Sequence, residues 1–313
     1  MTQVFDRRAI PAGVVESRWQ AADGWSLRRI DWPAPAQPPG SILFLPGRGD
    51  FYEKYLETLD HWAAQGWQVT AADWRGQAGS GRLGLDAVTG HIDDFATWVG
   101  DLAVLWWQWK AQTPGPHVLA GHSMGGHLVL RAAAEGVVDP DGLLLSAPML
   151  GFVASLLPVP VMHAASRLMA RLGDRRRPAW KWSEAPGQVP DGRADLLTHD
   201  PARYADELWW RAARSELVMG PGSWGWVERA YASMRLLARP GMLARVKVPV
   251  LILATDNDKL VGYGAIERAA RALPDVRLVN YGKASHHEVL READGVRDAA
   301  LAEGDAFLAR IAG

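Results

Sequence analysis

Residues 117–126 read HVLAGHSMGG. The first five form a short apolar run of the kind that makes a buried strand, and from about Met124 the pattern turns helical. Between them lies Gly121-His122-Ser123-Met124-Gly125, a G-x-S-x-G sequence at a predicted strand-to-helix turn. Such a turn is strained and holds its serine hydroxyl out at the sheet edge. Glycines two residues before and after the serine let strand and helix pack closely around it. Met124 opens the helix, so its backbone N–H can point at a developing oxyanion. The pattern arises by chance in roughly one chain of this length in ten. Its placement between strand and helix, rather than the pattern itself, favours a nucleophile elbow over a plain glycine-rich turn.

Outward from this turn the chain alternates short apolar runs with longer helical stretches. SILFLP (41–46) precedes a helix-like 52–65, and WQVTAAD (67–73) precedes a Gly-rich loop and a Trp-rich helix around 92–112. GLLLSAP (142–148), VPVLILAT (248–255) and VRLVNY (276–281) continue the pattern. Before it, VVESRWQ and WSLRRID flank AADG, whose Asp-Gly is a hairpin signal. This alternation predicts an α/β fold: a mainly parallel sheet of about eight strands with helices on both faces. It lapses between about Gly151 and Arg245, where clustered tryptophans and an arginine run accompany helical periodicity. The expected division is a core of residues 1–150 and 246–313 with a helical cap, 151–245, inserted between two core strands.

Bulk properties narrow the function. In 313 residues, 48% hydrophobic, there is material for one large core with an insertion. The absence of cysteine removes disulfides, thiolate metal sites and cysteine nucleophiles together. A net charge of −1 offers nucleic acid no global attraction. The start MTQVFDRRAI meets charged residues before any apolar run, unlike a secretory signal. Residues 142–166 carry no Asp, Glu, Lys or Arg, but Pro148, Pro158 and Pro160 would break a spanning helix. The expectation is a soluble cytoplasmic protein.

A serine hydrolase of this topology orders its triad serine, acid, histidine along the chain. After Ser123 the acid should follow a late strand, where LILATDNDKLV offers Asp256 and Asp258. The base should follow the last strand, where His286 and His287 stand side by side. Neighbouring residues rarely point the same way, so one of the two is expected to serve the site. His122 is expected to pack within the elbow and His127 to lie on the helix beyond. Ser285 and Glu288 have S-x-x-E spacing, which predicts a capping box starting a helix there. A second oxyanion donor is expected from the PGRGD loop (46–50), with the Arg48 N–H as candidate. Asp73 and Arg75 read as loop anchors. Local sequence leaves both the aspartate and the histidine pair undecided.

Taken together, LFLPGRGDFYEKY, DWRGQAGSGR, GHSMGGHL, LILATDNDKLV and ASHHEVLRE resemble, in order, the monoacylglycerol lipase and lysophospholipase family of α/β-hydrolases. LLTHDPARYA and GSWGWVERAYASM in the insert resemble that family's cap and favour its lysophospholipase-like branch. The resemblance implies Ser123 as nucleophile. Its acid pattern, G-x-x-D-x-L-V, matches residues 255–261 and implies Asp258, with Thr255 where glycine is usual. Its base precedes a glutamate and an aliphatic residue, which implies His287. Where the family often has His-Gly in the first oxyanion loop, this chain has Pro46-Gly47; the donor is a backbone N–H, so the hole survives the exchange.

The implied activity is two-step acyl transfer on a monoacyl lipid, lysophospholipid or monoacylglycerol, with no metal or organic cofactor. The same core also serves peptidases, thioesterases, lactonases, C–C hydrolases, small-ester esterases and non-catalytic binders. In the insert, MLGFVASLLPVPVMHAASRLMARL is apolar enough to line an acyl pocket or touch lipid, and RLGDRRRPAWKW combines arginines with Trp180 and Trp182 as an interfacial anchor would. Peripheral contact with the inner membrane surface is the corresponding expectation; ordinary packing with a solvated basic face is the alternative.

Overall fold

The computed structural model describes residues 5–153, 157–181 and 193–313. The hairpin signal is realised as β1 (Val15–Gln20) and β2 (Ser26–Asp31), antiparallel from Val15↔Asp31 to Gln20↔Ser26. There follow β3 (Ser41–Leu45), α1 (Leu56–Ala64), β4 (Gln68–Ala72), α2 (Phe95–Lys110), β5 (His117–His122), α3 (Met124–Glu135) and β6 (Gly142–Ser146). The helix expected over 52–65 begins as a tighter 3-10 turn, Tyr52–Tyr55, before α1. Next come α4 (Val159–Arg171), α5 (Ala194–Leu197), α6 (Pro201–Ala213) and α7 (Trp224–Leu237). The chain closes with β7 (Val250–Ala254), α8 (Tyr263–Ala272), β8 (Val276–Asn280) and α9 (Asp294–Ala312).

Eight strands form one sheet in the order β1-β2-β4-β3-β5-β6-β7-β8, parallel from β4 to β8 and antiparallel at the β1 and β2 edge. The central strands are buried on both faces, and alternate residues feed two cores. Leu43, Leu45, Leu119, Leu143, Leu145, Val250 and Ile252 pack with α2, α3 and α8. Ile42, Phe44, Val118, Ala120, Leu144, Leu251 and Leu253 pack with α1 and α9. Continuous apolar runs in the sequence are the signature of such strands.

Between β6 and β7 the described residues contribute helices rather than strands, and α4 packs on α7, which in turn meets α2 and α3. The described part of the stretch 142–166 holds the fully buried β6 and the start of α4. No helix among the described residues is long and apolar enough to cross a membrane. Asp73 accepts from the Tyr52 N–H at 3.1 Å and pairs with Arg28 at 3.1 Å. Arg75 pairs with Asp101 and Asp23, each at 2.7 Å. Both are loop anchors, as their turn-rich surroundings suggested.

Candidate active site

The elbow explains its own glycines. Ser123 has φ of 51°, a left-handed conformation that a side-chain-bearing residue adopts only under tertiary constraint. That constraint is visible: the Ser123 N–H donates to Ser146 O of the adjacent strand at 2.9 Å, and its carbonyl accepts from His127 N and Met149 N. A Cβ on Gly121 would lie 2.7 Å from the Gly125 carbonyl carbon, and one on Gly125 would lie 2.3 Å from Leu45 O. Neither position has room for a side chain, so β3, β5 and α3 meet backbone to backbone at the serine.

Three side chains from three loops line up there. His287 Nε2 is 3.0 Å from Ser123 Oγ, and His287 Nδ1 is 2.6 Å from Asp258 Oδ2. With its proton on Nδ1, the imidazole donates to the carboxylate and accepts from the serine hydroxyl. The second carboxylate oxygen, Asp258 Oδ1, accepts from the Leu260 and Val261 amides at 2.7 and 2.9 Å, which fixes the carboxylate plane. Thr255, at the position where a glycine is usual, is buried and donates to Gly282 O at 2.6 Å, tying the aspartate loop to the histidine loop.

The alternatives point elsewhere. Asp256 is exposed and accepts from Asn280 Nδ2 at 3.0 Å. His286, in the loop between two 3-10 turns, stacks on His199 instead, ring centroids 3.7 Å apart. His122 packs beneath His287 with ring centroids 4.8 Å apart, and His127 is bound to Ser233 Oγ at 2.6 Å on α3.

Electrostatics separates these imidazoles. Burial disfavours the charged form of His287, but Asp258 foremost, then Glu288 and Asp50, outweigh it and raise its pKa. Asp258 is held below its ordinary value by His287 and the two amides, against the upward push of burial. His122 has no facing carboxylate as close; burial and the neighbouring His287 bring it down to about 4, so it stays neutral.

The capping box at Ser285 and Glu288 does not form. Ser285 Oγ donates to His286 O, and Glu288 turns inward, followed only by a 3-10 turn, Val289–Arg291. The helix begins later, at Asp294. The reason is a buried ion cluster that sequence reading missed. Lys54 Nζ lies 2.5 Å from Asp50, 2.6 Å from Glu288 and 2.8 Å from Glu207, and Arg291 pairs with Glu288 as well. Two strong charge-assisted bonds outcompete one capping bond. The signal available in sequence was the Asp50–Lys54 spacing of four; Glu207 and Glu288 are joined only in space.

Around the serine, the PGRGD loop lies close: a Cβ on Gly47 would be 3.1 Å from Ser123 Cβ. The Gly47 amide donates to Asp50 Oδ2 at 3.2 Å and the Gly49 amide to Gln77 Oε1 at 2.6 Å. The Arg48 amide lies between them. Met124 is the first residue of α3, where an amide has no carbonyl one turn earlier to bind.

Two clusters among the described residues bring metal-ligating atoms within 4.8 Å of one another: His199, His286 and Glu292; and Asp50, His122 and Glu288. Neither suits an ion as it stands. In the first, Glu292 already accepts from the His199 and His286 amides and lies 3.1 Å from His199 Nδ1, and in the second Lys54 Nζ already contacts both carboxylates.

Known proteins resemble this chain in sequence and in fold. The family model described as serine aminopeptidase, S33, matches residues 36–294. Lysophospholipase L2 of Escherichia coli K12 is 30% identical over 284 residues, covering 83% of this chain and 77% of that protein. A monoacylglycerol lipase of Mycolicibacterium smegmatis is 26% identical over 84% of this chain and 86% of its own. The structure of a soluble variant of Saccharomyces cerevisiae monoglyceride lipase with a substrate analogue superposes with a TM-score of 0.74 at 18% identity, covering 97% of this chain and 96% of that one. On the strength of these matches and of its sheet topology, the chain belongs to the serine aminopeptidase S33 family of hydrolases, on the α/β-hydrolase fold.

Proposed function

We propose that this protein is a serine carboxylic ester hydrolase that cleaves monoacyl lipids, lysophospholipid or monoacylglycerol, through an acyl-enzyme. The observation that carries the proposal is the hydrogen-bonded line Ser123–His287–Asp258 at a strained elbow. His287 Nε2 takes the serine proton as Oγ attacks the ester carbonyl, and Asp258 holds the imidazole tautomer and stabilises its charged form. The Arg48 and Met124 amides receive the oxyanion. Collapse expels the alcohol, which takes the proton from His287. Water then attacks the acyl-enzyme, giving its proton to His287, and the fatty acid leaves as Ser123 is reprotonated. The sequence requires no metal or organic cofactor.

The lipid part of the proposal is supported by what the relatives are named for and by the insert, which serves in this reading as a cap. Helix α4 is amphipathic with its sense reversed: it buries His163 and Ser166 and leaves Val159, Val161 and Leu168 to solvent, with Leu157 and Leu172 exposed at its ends. His163 is turned inward to Glu228 and Arg235, at 3.1 and 2.8 Å. Arg167 and Arg171 on the same helix are exposed, as are Arg176, Trp180 and Lys181 further along the chain; Trp182 lies outside the described residues. An apolar strip accompanied by cations matches an anionic membrane surface. Wild-type protein is expected to co-sediment with anionic vesicles at low salt and Leu168→Glu protein to remain in the supernatant. Equal, absent binding by both would remove the membrane contact from the proposal.

The activity is tested in two steps. A fluorophosphonate should add one label per chain, at Ser123 by peptide mass. A panel of soluble esters, monoacylglycerols, lysophospholipids and aminoacyl amides should then give its highest kcat/KM with a monoacyl lipid. Preference for the amides would replace the lipid reading with a peptidase one, and a protein that binds these compounds without turning any over would be a binder.

A further inference from the structure

A backbone oxyanion donor is only as well placed as the loop that carries it. In the PGRGD loop the flanking amides of Gly47 and Gly49 are committed to side chains, Trp74 Nε1 donates to Pro46 O, and Tyr55 and Lys54 hold Asp50; at Arg48 itself the loop is tied to its surroundings through the guanidinium. Its guanidinium carbon lies 5.2 Å from the Trp180 ring and 5.0 Å from the Trp226 ring, and Nη2 donates to Gly220 O at 2.8 Å. All three partners belong to the helical insert. They are themselves held in a small backbone platform: Gly220 N donates to Val88 O, Gly90 N to Pro221 O, Ser223 N to Gly90 O and Ala179 N to Gly222 O. The slot is closed tightly, since a Cβ on Gly90 would lie 3.0 Å from Arg48 Nη2 and one on Gly222 would lie 2.8 Å from Trp180. A planar guanidinium can lie against two indoles and still donate to a carbonyl in its own plane, which an ammonium cannot do.

Building on the acyl-transfer reading, we propose that Arg48 is a positioning residue: clasped by Trp180, Trp226 and Gly220, it sets the orientation of its own backbone amide as oxyanion donor. The packing of the insert is thereby read at the reaction centre. Trp180 is 44% exposed, so the clasp has one side that solvent or a lipid can reach.

The test uses the full chain and p-nitrophenyl butyrate, an ester too short to depend on the insert for binding. Losing an oxyanion donor outright costs about 10²- to 10³-fold in kcat, so misaiming one should cost about 10- to 100-fold. Arg48→Met is expected to lower kcat by that factor with KM changed no more than about twofold. The inhibition constant of a trifluoromethyl ketone, which forms a tetrahedral oxyanion on the serine, should weaken in parallel. Arg48→Lys should recover part of the loss. Trp180→Ala, at a partly exposed position, should move kcat in the same direction, and the double variant should be no worse than Arg48→Met alone. A raised KM with unchanged kcat would instead make the guanidinium a substrate contact and overturn the proposal, as would full activity in every variant. Fluorophosphonate labelling of wild-type Ser123 is measured beside them. Its absence would sink the acyl-transfer reading itself, whereas labelling with variant kinetics equal to wild type would sink only the clasp.

Discussion

Ser123→Ala and His287→Ala are each expected to lower kcat for a soluble ester by about a thousandfold or more, while His286→Ala stays within about tenfold of wild type. In the proposed acyl transfer nucleophile and base act as a unit, so either loss removes the same chemistry. His287 bridges Ser123 Oγ at 3.0 Å and Asp258 Oδ2 at 2.6 Å, whereas His286 is stacked on His199. The assay is steady-state hydrolysis of p-nitrophenyl butyrate with fold checked by circular dichroism. Reversal of the two histidine effects would move the base by one residue. The same geometry sets the pH profile. The base must be neutral to accept the serine proton, and the facing carboxylates raise its pKa above the ordinary 6.5. Activity, kcat/KM, should therefore fall on the acid side with a midpoint above 6.5, and Asp258→Asn should shift that midpoint down while lowering the plateau.

Lys54→Met should destabilise the protein by about 3–5 kcal/mol, the range for removing one partner of a buried ion cluster. Lys54 is buried and contacts Asp50, Glu207 and Glu288. Glu288 keeps Arg291, and Glu207 keeps Arg211 at 2.7 Å, so among the described residues the variant leaves Asp50 facing only the neutral His122, at 3.8 Å, in place of a cation. The pH dependence is then diagnostic. In wild type, burial pushes the Asp50, Glu207 and Glu288 pKa values up, but the cations win and all three are lowered. Their contribution is complete above the unfolded carboxylate pKa of about 4 and is lost only as pH falls through the depressed folded values. In the variant, Asp50 in its buried site titrates above its unfolded value, so the folded state binds the extra proton and stability rises as pH falls. In urea unfolding the deficit of Lys54→Met relative to wild type should be smaller at pH 5 than at pH 7.5, a comparison in which the buried neutral histidines common to both proteins cancel. Equal midpoints for the two proteins at both pH values would show that Lys54 does not neutralise the cluster.

Much of this architecture is legible in the sequence. Four of the central strands are short apolar runs because both faces are buried, and the elbow announces itself because two glycines are demanded by contacts of 2.7 and 2.3 Å that no Cβ survives. The order serine, acid, histidine follows from where parallel strands end. What resisted was any choice between residues one or two apart in the same loop. DND and SHH offer equivalent chemistry, and which member faces the serine depends on loop backbone: two amides at Leu260 and Val261 hold Asp258, and Asn280 holds Asp256 out. The S-x-x-E spacing misled for a related reason. A capping box is a local bond, and Glu288 is instead drawn to Lys54, 234 positions earlier in the chain.

By itself, then, the sequence determined what depends on periodicity and on steric necessity near one residue: the sheet, its helical layers, the elbow and the loops in which acid and base must lie. Tertiary structure alone decided the orientation of His287 over His286, the buried cluster under the base, and the clasp that joins the insert to the loop after β3. Those features are made by side chains far apart in sequence whose charges and rings are expensive to bury singly and favourable only together. No local pattern records such a meeting, because none of its members is required until the others are in place.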